Sequence, residues 1–97
     1  MSSVDPAGKA GDDAGELDER SRGILDFERE WWMHRGPKER VIRERFGISA
    51  ARYHQLLNRI IDQPAAVTYD PMLVRRLRRL REERRRKRFA RRLGLEV

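Results

Sequence analysis

The sequence predicts an all-α protein: a small three-helix bundle containing a helix-turn-helix, continued by a long basic C-terminal helix. Three observations lead there. Apolar residues recur at helical spacing in successive segments, the pattern of helices that bury one face. Glycine, proline and short polar residues stand at the joints between those segments, where helix ends use them. No stretch shows a convincing alternation of apolar and polar residues, so no strand is expected.

The elements follow in chain order. Residues 1–20 read as a disordered acidic tail, rich in Gly, Asp, Ser and Ala, with Val4 and Leu17 as its branched apolar residues. Structure is expected from Ser21, in a tri-helical core over residues 21–62. "SRGILDFEREWWMHRG" spaces Ile24, Phe27 and Trp31 at i, i+3, i+7, with Ser21 as its cap and Gly36 as its left-handed exit. Trp31 and Trp32 are adjacent, about 100° apart around a helix, so both cannot face the same core element, which leaves one available to another helix or a partner. Pro37 opens "PKERVIRERF" at a first helical position, with Val41, Ile42 and Phe46 on one side. Gly47 ends that helix and Ser49 caps the next, whose Tyr53, Leu56, Leu57 and Ile60 make an i, i+3, i+4, i+7 face.

Residues 63–70 read as a linker with room for one helical turn. Asp70 and Pro71 then form a cap and first-turn pair, opening a basic helix over residues 71–93. Leu73, Leu77 and Leu80 give that helix an apolar stripe over its first turns alone. Its start should dock on the bundle, and "REERRRKRFARR" should project into solvent.

A chain of 97 residues holds one small domain. It has no cysteine, no signal-peptide core and no apolar run near the ~20 residues of a membrane span. A cytoplasmic, nucleoid-associated protein is the expectation, with no membrane partner. The formal net charge is +7, unevenly distributed. Six acids against three bases precede Gly23, whereas twelve bases against Glu82 and Glu83 lie between Pro71 and Leu93. Such asymmetry points to a polyanion, and duplex DNA is the first candidate. Twenty of the 23 bases are arginine, whose fork matches phosphate and guanine edges; a GC-rich genome, whose codons favour Arg, would produce the same excess.

The segment "RFGISAARYHQLLNRI" carries the functional argument. Ile42, Phe46, Ile48, Tyr53 and Leu56 stand at the offsets from Gly47 that lock the two helices of a helix-turn-helix. Arg43 departs from the pattern, standing where the motif usually has a small residue. With Tyr53 at the centre of the buried face, Ala51, Gln55 and Asn58 lie near the opposite pole, flanked by Arg52, His54 and Arg59. Those six are the candidates for base contacts, since Gln and Asn pair with adenine and Arg with guanine, while Ala51 suits a thymine methyl. No acid stands between Ser49 and Ile61. Candidate phosphate contacts are Lys38, Arg40, Arg43 and Ser49, then Arg75, Arg78, Arg79, Arg84, Arg85, Arg86, Lys87 and Arg88 of the basic helix.

No enzyme is expected, and no cofactor, metal or small-molecule ligand. The two histidines, His34 and His54, fit no zinc or nucleophile motif, and no glycine-rich phosphate loop is present. His34 suits a helix C-terminus.

"ILDFEREWW", "GPKERVIRERFGIS", "RYHQLLNRIID" and "DPMLVRRLRRLR" together resemble a family of short actinobacterial proteins of unknown function, domain of unknown function 3263. The resemblance covers roughly Ile24 to Leu93 and implies a cytoplasmic protein without assigning an activity. The glycine-turn-serine segment is weakly similar to region 4 of bacterial sigma factors, over about 25 residues. The expected function is a small DNA-binding protein, a transcriptional regulator or nucleoid-associated factor. Two alternatives stand beside it: an interaction module that docks on RNA polymerase or a second copy through Trp31 and Trp32, and an RNA- or ribosome-associated protein that binds through the Arg-rich helix.

Overall fold

The computed structural model describes residues 16–94. Its elements are α1 (Glu19–Glu30), a 3-10 turn (Trp31–Met33), α2 (Lys38–Phe46), α3 (Ala50–Ile60), α4 (Pro64–Tyr69) and α5 (Pro71–Arg92). The all-α expectation is met among the described residues. The first fifteen residues of the expected acidic tail lie outside them.

Three boundaries move. Helix α1 ends at Glu30 and the 3-10 turn at Met33, short of Gly36, which nonetheless takes φ 99°. Helix α1 starts before Ser21, because Asp18 is the better cap: its carboxylate accepts the Ser21 N–H at 2.7 Å and is favoured by the helix dipole. Ser21 is thereby buried, and Leu17, assigned to the tail, packs into the core. Pro37 is the cap residue of α2, not its first helical residue, with ψ 122° and no side-chain hydrogen bond. The joint between α2 and α3 forms where expected. Gly47 takes φ 70° and donates its N–H to the Arg43 carbonyl at 2.9 Å, and Ser49 Oγ accepts the Arg52 N–H at 3.1 Å. A Cβ added at Gly47 would meet nothing within 4 Å. Gly47→Ala is therefore expected to cost the torsional penalty alone, about 1–2 kcal/mol, read as a lower urea midpoint with unchanged slope.

The expected three-helix core is corrected to one core built from all five helices. The linker folds as α4 and buries Ala65 and Ala66; α5 adds Leu73, Val74 and Leu77 to the same cluster as Ile24, Ile42 and Tyr53. The reason is that α1 to α3 leave apolar surface uncovered beside Ile60 and Ile61, both buried. Polar ties fix the docking. Asp70 caps α5 through the Leu73 N–H and pairs with Arg29 at 3.1 Å, and the Tyr69 hydroxyl donates to Asp26 at 2.8 Å.

Phe27 sits at the centre of an aromatic cluster, with ring centroids 5.3 Å from Trp31, 5.4 Å from Phe46 and 5.8 Å from Tyr53. Trp31 joins this cluster and stacks on His34 at 5.2 Å, while Trp32 is 77% exposed. The two tryptophans thus divide as the 100° step requires. His34 Nδ1 lies 3.2 Å from the Glu30 carbonyl at the end of α1, the position expected of it.

The buried face of α5 is rotated from the expected stripe. Val74 is buried and Leu80 is 38% exposed. Leu73, Val74 and Leu77 set the direction that faces the bundle, and Leu80 falls at its edge. Beyond Leu77 the apolar contact of α5 with the bundle ends, and the molecule extends to 58 × 28 × 22 Å. No described helix is long and apolar enough to cross a membrane.

Candidate nucleic-acid interface

Tyr53 was placed at the centre of the buried face of α3, and it is fully buried. Its hydroxyl donates to Glu28 Oε2 at 2.5 Å, and Lys38 Nζ pairs with the same oxygen at 3.0 Å. One buried carboxylate thus ties α1, α2 and α3 together. Burial pushes the Tyr53 phenol well above its usual range, with the Glu28 charge adding to it. Glu28 is the functional-scale residue that sequence reasoning missed. A signal existed: it stands at i+4 from Ile24, inside the stripe of Ile24, Phe27 and Trp31.

This arrangement removes Lys38 from the phosphate candidates. Its ammonium is held by Glu28 and lies 5.8 Å over the Trp31 ring, so engaging a phosphate would leave a buried carboxylate short of a cation. Arg40 and Arg43 are exposed on α2. The solvent-facing Arg43 is accommodated because Val41 and Ile42 take the packing against the core. The Ser49 Oγ accepts the Arg52 N–H as the α3 cap, which leaves its hydroxyl proton to donate elsewhere.

The six base-contact candidates on α3 do not share one surface. All are exposed, but they face three ways. Ala51, Arg52 and Gln55 occupy the free outward face, where Arg52 Nη1 reaches Gln55 Oε1 at 3.5 Å. His54 and Asn58 turn instead toward α5 and line a groove of about 460 Å³ with Arg81, Arg84, Arg85 and Arg88. Arg59 faces the start of α1, in a hollow shared with Asp18 and Arg20.

The arginines of α5 divide likewise. Arg78 Nε donates to the Ile61 carbonyl at 2.7 Å, and Arg81 Nη1 to the Asn58 carbonyl at 3.2 Å. These are carbonyls at the C-terminal end of α3, which lack partners within their own helix. Arg81 also grips Asp62 through both Nη atoms, at 2.8 and 3.2 Å, and holds the Asp62 carboxyl below the usual carboxylate range. Arg78 is accordingly corrected from free phosphate ligand to a residue that also pins α5 onto α3. Arg81, missed among the candidates, does the same. Arg75 and Arg79 line a separate hollow with Arg29, Asp70 and Met72; Arg86 and Lys87 line a third with Glu82 and Phe89. Glu82 and Glu83 make no ion pair within 4 Å among the described residues; pairing runs through Arg29, Lys38 and Arg81.

His54 has its pKa lowered. Desolvation is the main cause, Lys38 and Arg84 add to it, and Glu28 and Glu39 oppose it.

One family model matches the chain, over residues 16–89; the family is described as "Protein of unknown function (DUF3263)". No curated protein and no solved structure matches.

Proposed function

We propose, for a chain that belongs to the DUF3263 family of proteins of unknown function, that it is a small DNA-binding protein acting in transcription or nucleoid organisation. The observation that carries this reading is the pairing of an acid-free α3, presented on a glycine-and-serine joint, with a bank of exposed arginines along its flank. The α2–α3 unit acts as a helix-turn-helix, with α3 entering the major groove. Arg52 and Gln55 reach base edges, Ala51 allows close approach, and Asn58 reads from the margin. Arg40, Arg43 and the Ser49 hydroxyl on one side, and Arg84, Arg85 and Arg88 on the other, hold phosphates. The protein works without catalysis or cofactor, inside the cytoplasm.

Affinity for mixed-sequence duplex, measured by fluorescence anisotropy across salt, is the test. With six or more phosphate contacts, log K should fall against log salt with a slope of roughly −5 or steeper. Absence of binding at ~50 mM salt would refute the reading. Arg52→Ala with Gln55→Ala should cost about 1–3 kcal/mol for a preferred site while leaving the salt slope within about one unit. An equal loss on every sequence would mean that α3 positions without reading. A second reading rests on Trp32, 77% exposed beside Met33: docking on a protein partner such as RNA polymerase or a second copy. Trp32→Ser would abolish that association and spare DNA binding.

A further inference from the structure

The groove between α3 and the free half of α5 sets two helices of unlike character against one space. From α3 come His54, Leu57 and Asn58; from α5 come Arg81, Arg84, Arg85 and Arg88. The four arginines stand at i, i+3, i+4 and i+7, so one face of α5 carries them all. That face continues the direction of Leu73, Val74 and Leu77, which points to the bundle. The arginines therefore overhang α3 because packing further back in the helix aims them there. No carboxylate lines the space; Asp62, the nearest pairing acid, is already gripped by Arg81. The Arg81 Nε is buried and has no hydrogen-bond partner, so a donor in the groove wall stands unsatisfied. Arg84, Arg85 and Arg88 line it together, exposed to solvent and without an ion pair within 4 Å among the described residues, so an anion entering it would meet several cations.

We infer that this groove seats the phosphodiester backbone of one strand of duplex DNA, held by Arg84, Arg85 and Arg88 and by a His54 that takes up a proton as the phosphate enters. The inference rests on the DNA-binding reading and deepens it. It moves His54 from the base-reading set to the phosphate set and gives α3 and α5 one ligand in common.

The proton follows from the surroundings of the ring. Desolvation lowers the pKa of the ring most, Lys38 and Arg84 add to it with positive charge, and Glu28 and Glu39 oppose them, so the charged form is disfavoured in the free protein. A phosphate in the groove reverses the local sign, and the imidazole then gains a proton from solvent and donates through both ring nitrogens. Binding is thereby linked to pH, tighter as pH falls toward the ring's own range.

The experiment uses the full chain. His54 ring resonances are followed by NMR against pH, in the free protein, with inorganic phosphate, with a mixed-sequence duplex and with a double-stranded RNA of equal length. The duplex should raise the His54 pKa, and DNA affinity at constant salt should be roughly three- to tenfold higher at about pH 6 than at about pH 8. His54→Gln should flatten that dependence and remove most of the gain in affinity at about pH 6. Arg84→Gln should raise the His54 pKa in the free protein and lower the salt slope by about one unit. Unmoved His54 resonances on DNA binding, or an unchanged pH dependence in His54→Gln, would overturn the inference while leaving the DNA-binding reading standing. Failure of all DNA binding, with His54 still responding to phosphate or to RNA, would overturn the duplex as occupant. A response to inorganic phosphate alone would overturn the strand seat in favour of a small-anion site.

Discussion

Replacement of Tyr53 by Ala should destabilise the protein by about 3–5 kcal/mol, the usual cost of removing a buried aromatic ring. A domain of this size has roughly 5–15 kcal/mol in all, so the variant should be partly unfolded at physiological temperature. The cost has two parts. The ring fills the space between Phe27 and Phe46, and its loss leaves a cavity at the centre of the core. The hydroxyl donates to Glu28, and its loss leaves a buried carboxylate with Lys38 as its remaining partner. Tyr53→Phe isolates the second part, expected at about 1–3 kcal/mol. Urea unfolding followed by circular dichroism measures both, and an alanine variant within about 1 kcal/mol of the parent would contradict the core described above. Alkaline pH supplies a further check. Burial raises the folded phenol above the ordinary tyrosine value of about 10, so above that pH the unfolded chain releases a proton that the folded chain retains. Stability should therefore decline above about pH 10, and part of that decline should disappear in Tyr53→Phe.

The second large effect concerns DNA. On the proposed reading, changing Arg84, Arg85 and Arg88 together to Gln would remove three phosphate contacts, each contributing about 0.9 to the salt slope. The slope should become shallower by roughly 2.7, and affinity at ~0.1 M salt should fall about a hundred- to a thousandfold. These side chains are exposed and make no ion pair among the described residues, so helicity and unfolding midpoint should hold. The matched control is Arg75, Arg76 and Arg79 to Gln. It removes the same charge from the opposite side of α5, in the hollow beside Asp70. If α5 acted as an unlocalised cloud of charge, the two triple variants would lose equally. A loss concentrated in the first places the duplex along the α3 side.

Local features of the fold were largely legible beforehand. Apolar spacing located α1, α2, α3 and α5, and joint chemistry located ends at Gly47, Ser49 and Asp70, whereas α1 stops at Glu30, short of the exit expected at Gly36. The errors there are competitions between neighbouring residues, as where Asp18 displaces Ser21 as the α1 cap. The polar contacts that sort the site were less legible. Glu28 meets Tyr53 across 25 positions, and Arg81 meets Asp62 across 19. Each stands at an apolar-stripe position of its own helix, which marks it as unusual without naming a partner.

By itself, then, the sequence determined an all-α chain, the chemistry of its joints and an acid-free α3 followed by an arginine-rich helix. Periodicity measures direction around a helix's own axis, and capping depends on residues a few positions away, so both can be read locally. Tertiary structure alone decided which charges are free. It withdrew Lys38 into a buried pair and set Arg78 and Arg81 to capping α3. It folded the linker into the core, and through Val74 it turned α5 so that Arg84, Arg85 and Arg88 face His54. The physical reason is that a charged side chain is free or committed according to what lies opposite it. That is fixed when the helices pack, not when they form.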